Sequence, residues 1–255
     1  MVEGILATLV KFYDPLYRFF TFPDYQLVPT LVEFSHLIGL SIPDQVPISG
    51  LEEIPKHQDI AEVSHLRVSE IKANLTIKGG ILGLPTKFLI EEARYFSSMK
   101  SMDAFEAILA LLIYGLLLFP NVDDFVDINA IKIFLIGNPV PTLLADVYHS
   151  VHLRNFHKRG MIICRTTLLY KWFISHLPWS TALWSQNIMS LTNYGIDWFD
   201  RAYEGVTIIY SCGEFPNVPL LGTKGGISYN PILARGQFGY PMKDKPNTIF
   251  LERFF

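Results

Sequence analysis

The amino-acid sequence predicts a mainly α fold, a multi-helix globular domain with a short N-terminal β-hairpin and minor β elements. Of the 255 residues, 50% are hydrophobic and only 18% are charged, so the chain can bury a large core. Apolar residues recur at helical spacing along much of the chain, whereas β-prone aromatic residues cluster around one early Pro-Asp pair. Because no low-complexity tract or charge run marks a boundary, we expect residues 1–255 to form a single domain.

Composition and charge argue against several classes of protein. The formal net charge is −3, which gives no overall attraction to nucleic acid or to an anionic membrane. Cys164 and Cys212 lack pair spacing, which fits a reducing compartment. No secretory signal is recognisable, and the most apolar run, residues 107–119, is shorter than the roughly 20 residues that a bilayer span needs. The residues alone predict a cytoplasmic protein that is neither secreted nor bound to a membrane.

The N-terminal elements are the most clearly marked. We expect a short amphipathic helix at the start, followed by a hairpin of residues 17–22 and 25–28 around Pro23-Asp24. Thr30 and Glu33 then form a capping box, and Gly39 ends the helix that this box begins. The buried stripe of that helix comprises Leu31, Phe34, Leu37 and Ile38. An irregular connector follows, marked by Pro43, Pro47, Gly50 and Pro55.

Helices make up most of the rest. The apolar spacing predicts them at 57–74, 85–98, 103–119 and 126–136, and we expect the third to be buried on all sides. Pro141 suits the first turn of a further helix with an apolar face, made of Leu144, Val147, Tyr148 and Val151. A last helix runs through residues 168–173 until Pro178 stops it, and small strands are expected near 206–210.

The tetrapeptide KGGI occurs twice, at residues 78–81 and 224–227. Neither copy has the spacing of a Walker phosphate loop or of the dinucleotide-binding glycine pattern. In both copies a proline, Pro85 or Pro231, stands five residues after the second glycine. This spacing predicts a glycine turn, a short spacer and a helix that begins at proline.

Asp123, Asp124 and Asp127 form a D-D-x-x-D pattern, which in terpene-type synthases holds magnesium and a diphosphate. Such enzymes need a second acidic motif, and none follows in this sequence. Residues 121–127 are instead typical of a helix N-terminus, where acids are stabilised by the positive end of the helix dipole. We therefore predict a capping role, and these three residues are the candidates for a metal site under the alternative.

A second candidate region is basic. Between residues 147 and 196 there is no acidic residue, whereas five cations occur: Arg154, Lys158, Arg159, Arg165 and Lys171. This segment could bind nucleic acid, but a solvated rim over a tryptophan-rich core is the favoured interpretation. His149, His152 and His157 share the same region, and helical spacing would place the first two on one face. No further ligand has the spacing of a zinc site.

Four blocks of the sequence carry a resemblance to a known family. They are RFFTFPDYQLVPTLVEFSHLIGL, ILALLIYGLLLFPNVDDFVDINAI, NPVPTLLADVYHSVH and GEFPNVPLLGTKGGISYNPILARGQFGYPM, and they span nearly the whole chain. The chain resembles the plant mobile domain (aminotransferase-like) group, above all its transposon- or retroelement-associated plant proteins. It differs at Gly236, where their pattern has an arginine before Gln237. It also ends at Phe255, which implies a C-terminally truncated copy.

The resemblance implies a cellular context for the protein and no particular reaction. Plant mobile domains occur in transposable elements and in nuclear proteins that support gene silencing and genome integrity, sometimes joined to a phosphatase-like partner. The resemblance therefore implies a nuclear protein that binds a phosphatase-like protein or another silencing factor. We expect no cofactor, because a pyridoxal enzyme needs a Schiff-base lysine, a phosphate cup and an acid, and Lys224 beside glycines does not supply that set.

The sequence thus favours a non-enzymatic interaction module of a transposon-derived protein. The candidate contact residues are polar or cationic: Arg154, Lys158, Arg159, Arg165, Arg235 and Gln237. Two alternatives stay open. One is a magnesium-dependent enzyme that uses the three aspartates, and the other is a nucleic-acid-binding module that uses residues 154–171.

Overall fold

The computed structural model describes residues 2–15, 18–40, 54–157, 166–177 and 218–229. Helices make up most of this part of the chain, which confirms the mainly α fold class. Its contacts define two compact units, unit one (the described residues before 41 and after 139) and unit two (residues 54–139). That residues 1–255 form a single domain stays a prediction. In the described residues no helix combines the length and the apolar character needed to cross a membrane.

Unit one begins with a helix and a small sheet. Its first elements are α1 (Val2–Leu9), a 3-10 turn (Val10–Phe12), β1 (Tyr13–Asp14), β2 (Phe19–Thr21) and β3 (Gln26–Leu27). The strands pair antiparallel in the order β1-β2-β3, so the predicted hairpin is confirmed as β2 and β3, with shorter strands. Strand β1 is an addition that the sequence does not predict, because its Asp-Pro ending is typical of a turn.

Helix α2 (Leu31–Ile38) confirms the predicted capping box. The Thr30 hydroxyl accepts a hydrogen bond from the Glu33 backbone N–H at 3.1 Å, and a Glu33 carboxylate oxygen accepts one from the Thr30 N–H at 2.9 Å. Gly39 ends the helix with a φ of 77°, where a side chain would be strained. The apolar stripe faces the core of unit one, with Leu31 and Phe34 fully buried.

The remaining elements of unit one are α8 (Val140–His157), α9 (Thr166–Ser175), β7 (Val218–Gly222) and β8 (Gly225–Tyr229). Helix α8 has Pro141 in its first turn, and its predicted apolar face is buried, as Leu144, Val147, Tyr148 and Val151 show. Aromatic rings fill the core between the elements. Phe20 lies 5.6 Å from Trp172, and Phe22 stacks on Phe173 at 6.2 Å between ring centroids.

The second KGGI copy lies in the hairpin of β7 and β8. The two strands pair from Val218↔Tyr229 to Gly222↔Gly225, so Thr223 and Lys224 form the turn. The predicted turn is present and the spacer after it is strand β8, whereas the helix predicted to begin at Pro231 lies outside the described residues. The physical reason for the strand is that Leu220 and Ile227 are buried in the core, whereas Leu221 and Gly226 next to them are only half-buried, as in a half-buried strand.

Unit two contains five helices and a three-stranded sheet within residues 54–139. Its elements in order are α3 (His57–Ser64), α4 (Val68–Asn74), β4 (Thr76–Lys78), β5 (Ile81–Pro85), α5 (Thr86–Ser98), α6 (Met102–Ile113), a π-helical turn (Tyr114–Leu118), β6 (Phe125–Asp127) and α7 (Ile128–Ile136). The strands pair antiparallel in the order β4-β5-β6. The predicted helices at 85–98 and 126–136 are confirmed as α5 and α7.

The prediction of one helix over 57–74 is wrong, because the chain breaks into α3 and α4. His65 adopts a left-handed backbone with a φ of 57°, and the Leu66 N–H donates to the Ala61 carbonyl at 3.0 Å. This pattern is a Schellman-type helix end. It turns Leu66 into the core, where its side chain is buried. The burial of one leucine thus outweighs continued helical pairing.

The first KGGI copy forms the turn between β4 and β5. Gly79 and Gly80 both have left-handed backbone, with φ of 60° and 81°, as a two-residue hairpin turn requires. Strand β5 then leads directly into α5, whose N-cap is Pro85. The predicted order of glycine turn, spacer and helix is confirmed here, and the spacer is a strand.

Several predictions concern residues outside the described part of the chain. They are the connector around Pro43, Pro47 and Gly50, the strands near 206–210, the stop at Pro178, the helix after Pro231, and both cysteines.

Candidate functional site

The aspartates of the D-D-x-x-D pattern do not share a helix face. Asp123 and Asp124 are exposed in the turn before β6, and Asp124 has a left-handed φ of 52°. Asp127 is buried at the N-cap of α7, where its carboxylate accepts hydrogen bonds from the Ala130 N–H at 2.8 Å and from the Asn121 amide at 2.7 Å. The capping prediction is confirmed for Asp127. Within the described residues no three His, Cys, Asp or Glu side chains converge to hold a metal ion.

The predicted basic contact residues lie largely beyond the described part of the chain. Lys158, Arg159, Arg165, Arg235 and Gln237 fall outside it, and for Arg154 only the backbone, in α8, is described. Lys171 is exposed on α9. These residues stay predictions as a contact surface.

A buried acid and a buried histidine join α2 to α9. Glu33 and His176 are 2.9 Å apart, and their side chains are only 1% and 5% exposed. The other oxygen of the same carboxylate is occupied by the Thr30 backbone N–H and hydroxyl. Trp172 covers the imidazole edge-on at 5.4 Å between centroids. Solvent does not reach the pair, and the carboxylate also accepts the hydrogen bonds that cap α2. The role of the pair is therefore to hold the two helices together.

A second polar contact fastens the hairpin of β7 and β8 to α8. The buried carboxylate of Asp146 accepts hydrogen bonds from the Thr223 N–H at 2.7 Å and from the Thr223 hydroxyl at 2.8 Å. A Cβ added to Gly222 would lie 2.4 Å from the same carboxylate. The glycine therefore permits the close approach that the two hydrogen bonds need.

Three titratable groups of unit one lie in a partly buried environment near α8. Burial raises the pKa of the Tyr13 phenol, and it lowers the pKa of the Arg18 guanidinium. Burial also lowers the pKa of His152, with further lowering from the positive charge of Arg18 and from His149. A neutral imidazole is therefore favoured at position 152 near neutral pH. Tyr13 and His152 are neighbours, with 6.4 Å between their ring centroids.

The most unusual surface feature of unit two is an exposed line of large apolar side chains, which we call the apolar ridge. Its members lie on α6 and on the π-helical turn: Met102, Leu109, Ile113, Leu116 and Leu117. Leu117 is 71% exposed, the highest value among the large hydrophobic residues of the described chain. The spacing of seven, four and then three or four residues keeps the ridge on one side of the helix. Several large apolar side chains exposed on one side of a helix are typical of an interaction site.

The ridge corrects the prediction that the helix over 103–119 is buried on all sides. Ala104, Ile108 and Leu111 are buried, at the helical spacing of one inner face. The opposite face stays open to solvent. A helix that is apolar all round is equally compatible with full burial and with an unfilled contact surface, and only tertiary structure distinguishes them.

The π-helical turn lies against β6. A Cβ added to Gly115 would lie 2.6 Å from both methyl groups of Val126, so the chain approaches β6 too closely for any side chain at this position. The Phe119 N–H donates to the Tyr114 carbonyl at 2.8 Å, the i to i+5 bond of a π turn. Such turns often occur at functional sites. Here the turn carries two adjacent exposed leucines, Leu116 and Leu117.

The charges of the ridge helix are all negative. Asp103 and Glu106 are both exposed, and no basic residue occurs from Met102 to Leu118. Glu106 lies four residues after Met102 and three before Leu109, so it interrupts the ridge itself. Lys100 precedes the helix, in the left-handed turn after α5. In the sequence, the ridge corresponds to an apolar run in which the only charged residues are two acids, both in the first two turns of the helix.

Comparison with known families places the whole chain in one of them. The profile of a family described as "Domain of unknown function (DUF7745)" matches residues 1–255. The chain belongs to this family. No curated protein and no solved structure matches it. The membership covers both units, so the ridge of unit two and the polar contacts of unit one lie within one family domain, and the DUF7745 description assigns no activity to either.

Proposed function

We propose that the chain is a non-enzymatic interaction module that binds a protein partner through the apolar ridge. The ridge carries the proposal, because large exposed apolar side chains along one side of a helix leave water only when another surface covers them. The buried acid–histidine pair and the capping aspartate are engaged in contacts that hold the fold together. The resemblance to plant mobile domains supports a transposon-derived nuclear protein that acts in silencing or genome maintenance.

The test is proximity labelling in plant nuclei with a matched pair of variants. Leu117→Gln removes the most exposed apolar side chain of the ridge. Ile77→Gln, in β4 of the same unit, removes a side chain of nearly equal exposure, 68%, outside the ridge. We expect a defined set of nuclear proteins to be lost with Leu117→Gln and retained with Ile77→Gln.

Two results would contradict the proposal. Equal labelling by both variants would show that the ridge makes no contact with a partner. Turnover of a defined substrate by the purified chain, abolished by changing one acidic residue or one lysine, would show that the protein is an enzyme.

A further inference from the structure

We infer that the apolar ridge binds an amphipathic α-helix of another protein, whose apolar stripe is flanked by lysine or arginine side chains. This inference rests on the proposed function and adds the chemistry of the partner. It follows from the shape of the ridge, from the backbone of the helix that carries it, and from its charges.

The shape of the ridge fits a helix lying along it. From Met102 to Leu117 the ridge extends about 22 Å, given a rise of about 1.5 Å per residue. Side chains three and four residues apart on one helix pack between the corresponding rows of another. A partner helix of about four turns would cover the ridge along its whole length.

The backbone of the ridge helix favours a helical partner over an extended one. In the middle of α6 the backbone N–H and C=O groups are paired within the helix, so they offer no hydrogen bonds to a bound strand. An extended peptide bound on this face would lose the hydrogen bonds that water makes to its backbone, and the ridge helix would offer no hydrogen bonds in return. A helix satisfies its backbone internally and binds through side chains alone.

The charges select a basic partner. Glu106 lies within the ridge, so any covering surface removes water from its carboxylate, and a covered carboxylate needs a cation or hydrogen-bond donors. Lysine or arginine beside the apolar stripe of the partner would supply them, with a second contact at Asp103. Nucleic acid and anionic lipid would instead bring further negative charge to the same carboxylates.

A second copy of the chain fits less well. The middle of the ridge lies next to Leu109, so two ridge helices paired antiparallel would place Glu106 opposite Ile113 of the other copy. Parallel pairing would place the two copies of Glu106 side by side. In the first arrangement the carboxylate lacks a cation, and in the second it meets a like charge.

The experiment uses the full chain and two labelled helical peptides of about 18 residues, long enough to cover the ridge. Both peptides have leucine at the same i, i+4, i+7 and i+11 positions in an alanine background, and they differ only in flanking lysine or glutamate. Binding is measured by fluorescence anisotropy. We expect the lysine peptide to bind at least about tenfold more tightly than the glutamate peptide.

Two substitutions in the ridge and one control separate the contributions. Leu117→Gln should weaken the lysine peptide by about fivefold or more, and Glu106→Gln should reduce the preference for lysine over glutamate to within about threefold. Ile77→Gln should leave both affinities unchanged. Circular dichroism of each variant verifies that the fold is retained, as expected for exposed positions.

The inference is overturned if both peptides bind equally, or if Leu117→Gln has no effect on the lysine peptide. It is also overturned by dimerisation of the chain alone that Leu117→Gln abolishes, or by a preference for phosphatidylserine vesicles over the lysine peptide. If nuclear labelling depends on Leu117 but the peptides are not distinguished, the interaction module stands and the basic helix is wrong. If neither depends on Leu117, both proposals fail.

Discussion

Single residues of this protein are constrained by backbone geometry more than by charge. At the tip of the β7 and β8 hairpin, Gly225 has a φ of 147°, a conformation that L-residues rarely adopt. Lys224 beside it is exposed in the turn. The glycine and the lysine of the same KGGI copy therefore have opposite tolerance to substitution.

We predict that Gly225→Ala lowers the free energy of unfolding by about 1 kcal/mol or more, because alanine is strained at this φ. Lys224→Ala should stay within about 0.5 kcal/mol of the wild type, as is usual for an exposed side chain. Urea denaturation of both variants measures the difference. If Lys224→Ala is the more damaging of the two, this account of the turn is wrong. If it alone abolishes a rise in melting temperature caused by ATP or pyridoxal phosphate, the turn is a phosphate site.

His152 gives a pH dependence of stability. Its pKa is lowered in the folded protein, chiefly by burial and also by Arg18 and His149, so the unfolded chain binds the proton more readily. Stability therefore falls as the pH drops through the unfolded value of about 6.5, and the loss is complete below the folded pKa.

We expect His152→Gln to reduce this acid-side loss, measured as the unfolding free energy from pH 7.5 to pH 5. The matched control is His36→Gln, which removes an exposed imidazole from α2. An equal change of slope in both variants would contradict the prediction.

At the scale of elements, close backbone approach decides where helices and strands meet. Gly115 in the π-helical turn leaves room for the two methyl groups of Val126 in β6. Gly83 in β5 likewise permits contact with the Val126 carbonyl, since an added Cβ would lie 2.2 Å from that oxygen. Two glycines that sequence patterns leave unexplained thus set the packing around β6.

We predict that Gly115→Ala destabilises the protein by about 1–3 kcal/mol, because a methyl group would overlap Val126. Adding Val126→Ala should relieve the overlap, so the double variant should be more stable than the sum of the two single changes by about 1 kcal/mol or more. Gly4→Ala is the control, since Gly4 lies in α1 with no atom within 4 Å of an added Cβ. Additive effects of Gly115→Ala and Val126→Ala would rule out this packing account.

For the whole molecule, the question is whether the two units unfold together. We predict a single cooperative transition, in accord with the single-domain expectation. Trp172 lies in the core of unit one, so its fluorescence, in a background where Trp179, Trp184 and Trp198 are replaced by phenylalanine, reports on that unit. Gly115→Ala perturbs unit two.

The expected result is that Gly115→Ala lowers the fluorescence midpoint and the midpoint from far-UV circular dichroism by the same amount. A fluorescence midpoint that keeps its wild-type value, while the dichroism curve splits into two steps, would show two independently folding domains.

The sequence predicted features that depend on a few neighbouring residues. The following are all present: the capping box of Thr30 and Glu33, the left-handed end at Gly39, the glycine turn at Gly79-Gly80 and the helix with Pro141 in its first turn. Each is fixed by backbone geometry or by a hydrogen bond within about five residues, and so it can be predicted from the local sequence. Among the proposed site residues whose side chains the structure describes, Asp127 has an observed role, and that role is structural.

Other features were decided only by tertiary structure. Leu66 breaks the predicted helix over 57–74 because its burial depends on distant neighbours, and the second KGGI copy becomes a hairpin because Leu220 and Ile227 reach the core of unit one. The ridge on α6 is exposed because the buried contacts of α6 lie on the opposite, inner face of the helix. No described element covers the ridge itself. The sequence by itself determined which segments are apolar and where the chain can turn. Which apolar faces are covered depends on contacts between residues far apart in the chain, and local periodicity carries no record of those contacts.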